Sequence, residues 1–204
     1  PDTSLLLQRV RKENLSEELL IKSGLFLEYP DYTVDLFENR LIFPIKDILG
    51  NIISFSGRIL DDTQSTSKYV NSLSTSWFSK SLSLYNIDLA SKSSEDFIIL
   101  VEGIPDAVSF IQSSVENVVA PCGTAVTEEQ ILILKYLSKK IIILMDGDSA
   151  GKKSTMRVES MLRSSNVPFL SLTLVNPEDR DKKIDPDEYI HKYGIESILE
   201  AIKD

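Results

Sequence analysis

Two stretches of this sequence are apolar almost from end to end and stop at an acid. Phe97-Ile-Ile-Leu-Val101 runs straight into Glu102, and Lys140-Ile-Ile-Ile-Leu-Met145 runs straight into Asp146. A strand with one wet face alternates apolar and polar residues. A short unbroken aliphatic run instead fits a strand covered on both faces, as in a parallel sheet flanked by helices. The neighbouring segments supply the helices. Pro105–Ser114 reads as a helix and Asn117–Ala120 as a short strand. Thr127–Ser138 reads as a second helix, because Thr127 followed by Glu128, Glu129 and Gln130 is a helix-start signature. Ala150–Arg163 is a third helix and Phe169–Val175 a further strand. This alternation predicts a parallel sheet with helices on its faces, and the expected fold class is α/β.

The chain before residue 90 has a different grammar. Leu15, Leu19, Leu20 and Ile21 cluster on one side of a helix over Asn14–Ser23, with Gly24 as its stop. Leu41–Ile45 and Ile52–Phe55 flank a Gly50-Asn51 turn and read as a hairpin, in which Pro44 marks an edge strand. Residues 54–94 are rich in serine and read as irregular structure draped over a core. The boundary is expected near residues 90–96. That gives an α+β subdomain over 1–92, a parallel-sheet α/β subdomain over 93–176, and an acidic loop with short helices from Pro186 over 177–204. No apolar run approaches a membrane span, so no membrane partner is expected. Cys122 is the only cysteine, which excludes a disulfide or a cysteine-based zinc site in these residues and fits a cytoplasmic location.

A net charge of −9 argues at first sight against a nucleic-acid partner. The distribution softens this. Residues 1–90 carry 9 Lys and Arg against 12 Asp and Glu, whereas residues 91–204 carry 13 against 19. Most of the acid surplus lies in the half with the buried strands, where bound divalent metal would cancel part of it.

Three acidic clusters stand in that half: Glu102-Gly103 after the first buried strand, Asp146-Gly147-Asp148 after the second, and Asp185-Pro186-Asp187-Glu188 beyond the last. Open parallel sheets bind ligands at the carboxyl ends of their strands. Glu102 and Asp146 therefore project from the functional edge, and Asp146 and Asp148 can present two carboxylates toward one point. Hard oxygen donors without histidine or cysteine suit Mg²⁺, not zinc. Spacing alone leaves a second reading open. Asp146 with Asp148, and Asp185 with Asp187, also fit helix capping, and Asp106 fits a first-turn acid stabilised by the helix dipole.

At these residues the sequence resembles the Toprim domain shared by primases, topoisomerases and certain nucleases, through Val101-Glu-Gly-Ile-Pro-Asp106, Met145-Asp-Gly-Asp-Ser-Ala-Gly151 and Asp185-Pro-Asp-Glu188. The Ala120-Pro-Cys-Gly-Thr-Ala-Val-Thr127 stretch resembles the primase version, where a Gly-Thr turn precedes a helix. Earlier segments sharpen the resemblance to bacterial DnaG-type primases: Asn39-Arg-Leu-Ile-Phe-Pro-Ile45, Ile53-Ser-Phe-Ser-Gly-Arg58, Lys68-Tyr-Val-Asn-Ser72 and Trp77-Phe-Ser-Lys80 in order. Ser56 stands where that family usually has glycine, Pro105 where it often has methionine, and two extra residues lie between Arg58 and Lys68.

The resemblance implies a DNA-directed RNA polymerase that makes short RNA primers on single-stranded DNA by metal-dependent nucleotidyl transfer. Glu102, Asp146 and Asp148 would be the catalytic residues and principal metal ligands, with Asp106, Asp185 and Asp187 lining the same site. Arg58, Lys68, Asn71, Lys80 and Arg40 would contact nucleotide or template. Mg²⁺ is the implied cofactor, with Mn²⁺ as a substitute. The implied partners are the DNA template, ribonucleoside triphosphates and a replicative helicase bound through a C-terminal region beyond these residues. The chain is then expected to be a piece of a longer protein, weakly active or inactive alone. Two rivals remain: a Toprim-type nuclease, and a non-catalytic nucleotide-binding or partner-docking module. Trp77 and Phe78 read as core or loop anchors, Lys152 and Lys153 as exposed first-turn residues, His191 as a helix-surface residue and Cys122 as a small residue packed beneath a turn.

Overall fold

The computed structural model describes residues 4–61, 67–123, 125–179, 182 and 184–203. The chain divides into two compact units, Pro1–Ile45 with Ile52–Ser79, and Lys46–Asn51 with Lys80–Asp204.

In the first unit, α1 (Leu5–Lys12) and α2 (Glu17–Lys22) are separated by Asn14, whose φ of 53° is left-handed. The helix expected over Asn14–Ser23 is therefore shorter, starting after its serine cap, Ser16. The preceding helix α1 had no strong sequence signal. Its cap Ser4 accepts the Leu7 N–H and donates its hydroxyl to Asp35 at 2.7 Å. Strands β1 (Phe26–Tyr29) and β2 (Tyr32–Asp35) pair antiparallel, and Leu7, Val10, Leu20 and Phe26 form a small core. Strands β3 (Arg40–Lys46), β4 (Ile52–Ile59) and β5 (Tyr69–Asn71) make a three-stranded sheet in that order. Pro44, which lacks an N–H, sits on the edge strand β3, as expected.

The irregular reading of residues 54–94 is corrected. Strand β4 continues to Ile59, β5 pairs with it, and β6 (Leu84–Tyr85) and α3 (Ile87–Ala90) follow. Serine hides these strands because its hydroxyl is absorbed by neighbouring backbone. Buried Ser56 donates to the Val70 carbonyl at 3.3 Å, and Ser72 to the Phe55 carbonyl at 3.4 Å. Phe78 is buried, as expected, whereas Trp77 is 80% exposed and is not a core residue. Of the stretch between Arg58 and Lys68 that holds the two extra residues, 62–66 lie outside the described residues.

The second unit holds the expected alternation: β7 (Phe97–Val101), α4 (Ile104–Gln112), β8 (Val118–Pro121), α5 (Glu128–Tyr136), β9 (Lys140–Leu144), α6 (Ser149–Ser164) and β10 (Phe169–Ser171). The sheet order is β10-β9-β7-β8-β6, parallel except for β6, which runs antiparallel to β8. Alternate residues of the buried strands feed opposite cores. Ile99, Val101, Ile142 and Leu144 face α4, α7 (Pro186–Tyr193) and α8 (Glu196–Lys203). Ile98, Leu100, Ile141 and Ile143 face α3, α5 and α6. Each such side chain contributes about 1.5–3 kcal/mol on burial. By compactness residues 80–92 group with the parallel sheet, because Leu84, Ile87 and Ala90 pack on it. Compactness also draws α7 and α8 into the same unit, through Ile190, Ile198 and Ile202. No described helix is long and apolar enough to cross a membrane.

Gln130 fastens residues 80–83 to this unit. Fully buried, it donates its amide to the Lys80 carbonyl at 3.0 Å and the Ser83 carbonyl at 2.7 Å, and accepts the Thr127 N–H at 3.1 Å. Gln130→Ala should destabilise the chain by about 1–3 kcal/mol, since it leaves buried carbonyls unsatisfied. Urea denaturation followed by circular dichroism checks this.

Candidate metal centre

Strands β7 and β9 lie side by side in parallel, with Val101 level with Leu144. The helix after β7 packs on one face of the sheet and the helix after β9 on the other. The crevice between the two strand ends is therefore a topological switch point, where open α/β sheets place ligands. Glu102 leaves β7 directly into this crevice, and Asp146 leaves β9 after buried Met145.

Helix N-termini fix most of the remaining acids. Asp148 caps α6, accepting the Gly151 N–H at 2.7 Å. Asp185 caps α7, accepting the Glu188 N–H at 2.7 Å. Buried Asp106 accepts the Gly103 N–H at 3.0 Å with one oxygen and the Asp187 N–H at 3.3 Å with the other, which ties the start of α4 to the start of α7. Asp187 accepts the Ser109 hydroxyl and lies 3.4 Å from the His191 ring. His191 is thus mostly exposed, as expected, yet it faces an acid of the cluster. The capping reading left open by the sequence holds for Asp148 and Asp185 and not for Asp146 or Asp187, and Asp106 is the first-turn acid of α4, bonded back to the Gly103 N–H.

The cluster is electrostatically strained. Burial, then repulsion from Asp146 and Asp185, pushes the Asp106 carboxyl up to about 7. Burial, then Glu102, Asp185 and Asp148, pushes Asp146 up to about 6. Two buried oxygens, Glu102 Oε2 and Asp146 Oδ1, have no hydrogen-bond partner. An unsatisfied buried polar group costs about 1–3 kcal/mol, and more when charged. A divalent cation would meet both needs, so the residues fit one. Among the described residues no three Asp, Glu, His or Cys side chains close into a complete ligand set.

Gly151 is a feature the sequence reading did not single out sterically. A Cβ there would lie 2.1 Å from the Asp146 carbonyl oxygen, so the first turn of α6 is pressed against the backbone of the acid it positions. The Gly-Thr turn is described only in part, because Thr124 lies outside the described residues. Cys122 is buried there, as expected.

The expected basic residues are placed as follows. Arg40, on β3, donates to the Ser67 carbonyl at 2.9 Å and the Lys68 carbonyl at 3.3 Å. Exposed Arg58 stacks on Tyr69 with 5.9 Å to the ring centre. Lys68 is exposed, and Asn71 is level with Ser56 in the β4–β5 pair. These four belong to the first unit; exposed Lys80 belongs to the second.

Comparison with known proteins bears on the family and the fold. Residues 1–91 match the family model for the DNA primase catalytic core, N-terminal domain, and residues 99–190 match a Toprim-like model. The DNA primase of Clostridium acetobutylicum is 36% identical over 203 residues, covering 99% of this chain and 33% of the relative. The chain spans about a third of the length of the curated relatives it matches. The crystal structure of the zinc-binding and RNA polymerase domains of the Aquifex aeolicus primase superposes with a TM-score of 0.88 at 32% identity, covering 100% of this chain and 49% of that one. A DnaG primase catalytic domain bound to single-stranded DNA gives 0.82 at 27% identity, covering 95% of this chain and 61% of that one.

Two outcomes follow. Asp106 and Asp146 keep protons in the folded chain at pH values where unfolded carboxyls have lost them. The folded state therefore binds more protons between about pH 4 and pH 7, and stability falls as pH rises through that window. In a chelator, the melting temperature should be higher at about pH 5 than at about pH 7.5. Mg²⁺ or Mn²⁺ should restore more of it at the higher pH, and Asp146→Asn should flatten the slope. Gly151→Ala should weaken Mn²⁺ binding by roughly tenfold or more by displacing Asp146, read by calorimetry.

Proposed function

The chain belongs to the DnaG-type DNA primase family, and we propose that within the longer protein it supplies the centre where ribonucleotides are joined into RNA primers on a single-stranded DNA template. One observation carries the reading: buried oxygens of Glu102 and Asp146 that have no hydrogen-bond partner, on acids that follow the ends of two adjacent parallel strands.

In this proposal Mg²⁺, or Mn²⁺ in its place, is held by Glu102 and Asp146 with Asp148. The all-oxygen donor set favours such a hard cation. The chemistry a divalent ion brings to this site is a lowered pKa for the attacking hydroxyl and neutralised charge on the phosphoryl oxygens. The protein's own part is positioning. Asp106, Asp185 and Asp187 hold the starts of α4 and α7 in register around the ligands. Arg58, Lys68 and Lys80 offer exposed cations to phosphates of nucleotide or template, with Asn71 and Arg40 contributing beside them. The relative bound to single-stranded DNA supports that substrate class. Ribonucleoside triphosphates, a replicative helicase engaged by the longer protein, and a cytoplasmic setting complete the proposal.

The test uses the full-length protein with a single-stranded template, ribonucleoside triphosphates and Mg²⁺. Labelled oligoribonucleotides should form while the DNA stays intact. Asp146→Asn should lower synthesis by roughly a hundredfold or more. Cleaved DNA without RNA product, or undiminished synthesis by the variant, sinks the reading.

A further inference from the structure

Beside the acids lies a cavity of about 260 Å³, bordered by Glu102, by Ala125 and Val126 of the loop after β8, and by Lys153, Ser154 and Arg157 of α6. We propose that this cavity holds the diphosphate portion of the incoming ribonucleotide and is the exit for pyrophosphate. The inference rests on the primase reading above and deepens it.

Size is the first argument. The cavity falls below the roughly 300 Å³ at which pockets begin to enclose drug-sized ligands, so it suits a compact anion and not a base with its sugar. Charge is the second. Lys153 and Arg157 stand one helical turn apart on one face of α6, where like charges repel. They sit in a half of the chain with 19 acids against 13 cations, yet among the described residues neither forms an ion pair. A bound phosphate group would relieve that repulsion, with half-buried Ser154 offering a hydroxyl between the two cations.

Position is the third argument. Glu102 borders the cavity and carries a buried oxygen without a hydrogen-bond partner. A cation on Glu102 would therefore face the acids on one side and the cavity on the other. The helices that carry Asp106, Asp185 and Asp187 pack on the opposite face of the sheet from α6. A polyphosphate is repelled by that acidic side and drawn to the α6 side, where the two cations stand. In the transfer, the primer 3′ oxygen bonds to the α-phosphorus and the α–β bridging bond breaks. The electron pair leaves on pyrophosphate, and the hydroxyl proton passes to solvent. Lys153 and Arg157 would offset the charge that grows on the leaving oxygens.

The decisive measurement is calorimetric titration of the full-length protein with pyrophosphate in the presence of Mn²⁺. Lys153→Gln with Arg157→Gln should weaken pyrophosphate binding by about tenfold or more, while Mn²⁺ alone binds as in wild type. In primer synthesis the same variant should raise the KM for ribonucleotides and relieve pyrophosphate inhibition. If it binds pyrophosphate like wild type while Asp146→Asn loses Mn²⁺, the cavity assignment falls and the primase reading stands. If Asp146→Asn also keeps its Mn²⁺, the primase reading itself falls. Should the double variant lose Mn²⁺ binding, the charge-conserving Lys153→Arg and Arg157→Lys decide: retained pyrophosphate binding supports the assignment, and its loss overturns it.

Discussion

Glu102 and Asp146 end strands whose interior side chains are dry, and each keeps one buried oxygen that no hydrogen bond reaches. Water cannot fully solvate these oxygens, and the neighbouring acids repel them. The cost is tolerable only because the strands cannot yield. Residues 98–101 and 141–144 are almost wholly buried, and moving either strand end would disturb both cores at once. Packing of this density converts an unfavourable charge arrangement into a fixed one. The same rigidity would be needed to hold a cation at a defined point, so the strained electrostatics and the well-packed sheet are two aspects of one design.

The acids divide by what their oxygens are bonded to. Asp106 gives both oxygens to backbone N–H groups, and Asp148 and Asp185 each accept one at a helix start. Helix N-termini carry partial positive charge, so these acids sit where they are best tolerated. Glu102 and Asp146 receive no such compensation on their buried oxygens, which makes them the strongest ligand candidates. A capping acid and a ligand acid are thus different in kind even when the sequence shows only Asp-x-Asp.

The buried strands were legible because an unbroken aliphatic run has few alternatives at that length, and α5 because Thr127 and Gln130 form a capping box. The structure keeps those elements nearly where the pattern put them. Strands β4 and β5 were obscured because Ser54, Ser56 and Ser72 are buried, and serine in a sheet looks like serine in a loop until its partner is known. Strand β6 has two residues and exists only because β8 receives it. The acids were visible as clusters, but their division into caps and candidate ligands depended on contacts such as Asp106 with the Asp187 amide, 81 residues apart. Lys153 read as an exposed first-turn residue and Arg157 carried no signal of its own, since the cavity they border is shaped by the loop after β8.

The net charge of −9 can now be set against the demands of a polyanionic substrate. An acidic surface repels phosphate at long range, yet repulsion between exposed charges fades within about a Debye length, roughly 8 Å at physiological salt. At shorter distance the local sign governs. Each carboxylate committed to holding a cation ceases to repel phosphate and helps to attract it, because the ion carries the larger local charge. Acid surplus in the half that holds the centre is therefore a condition for phosphate chemistry there, provided cations flank the acids. Lys153 and Arg157 on α6, which border one cavity with Glu102, meet that condition within the second unit.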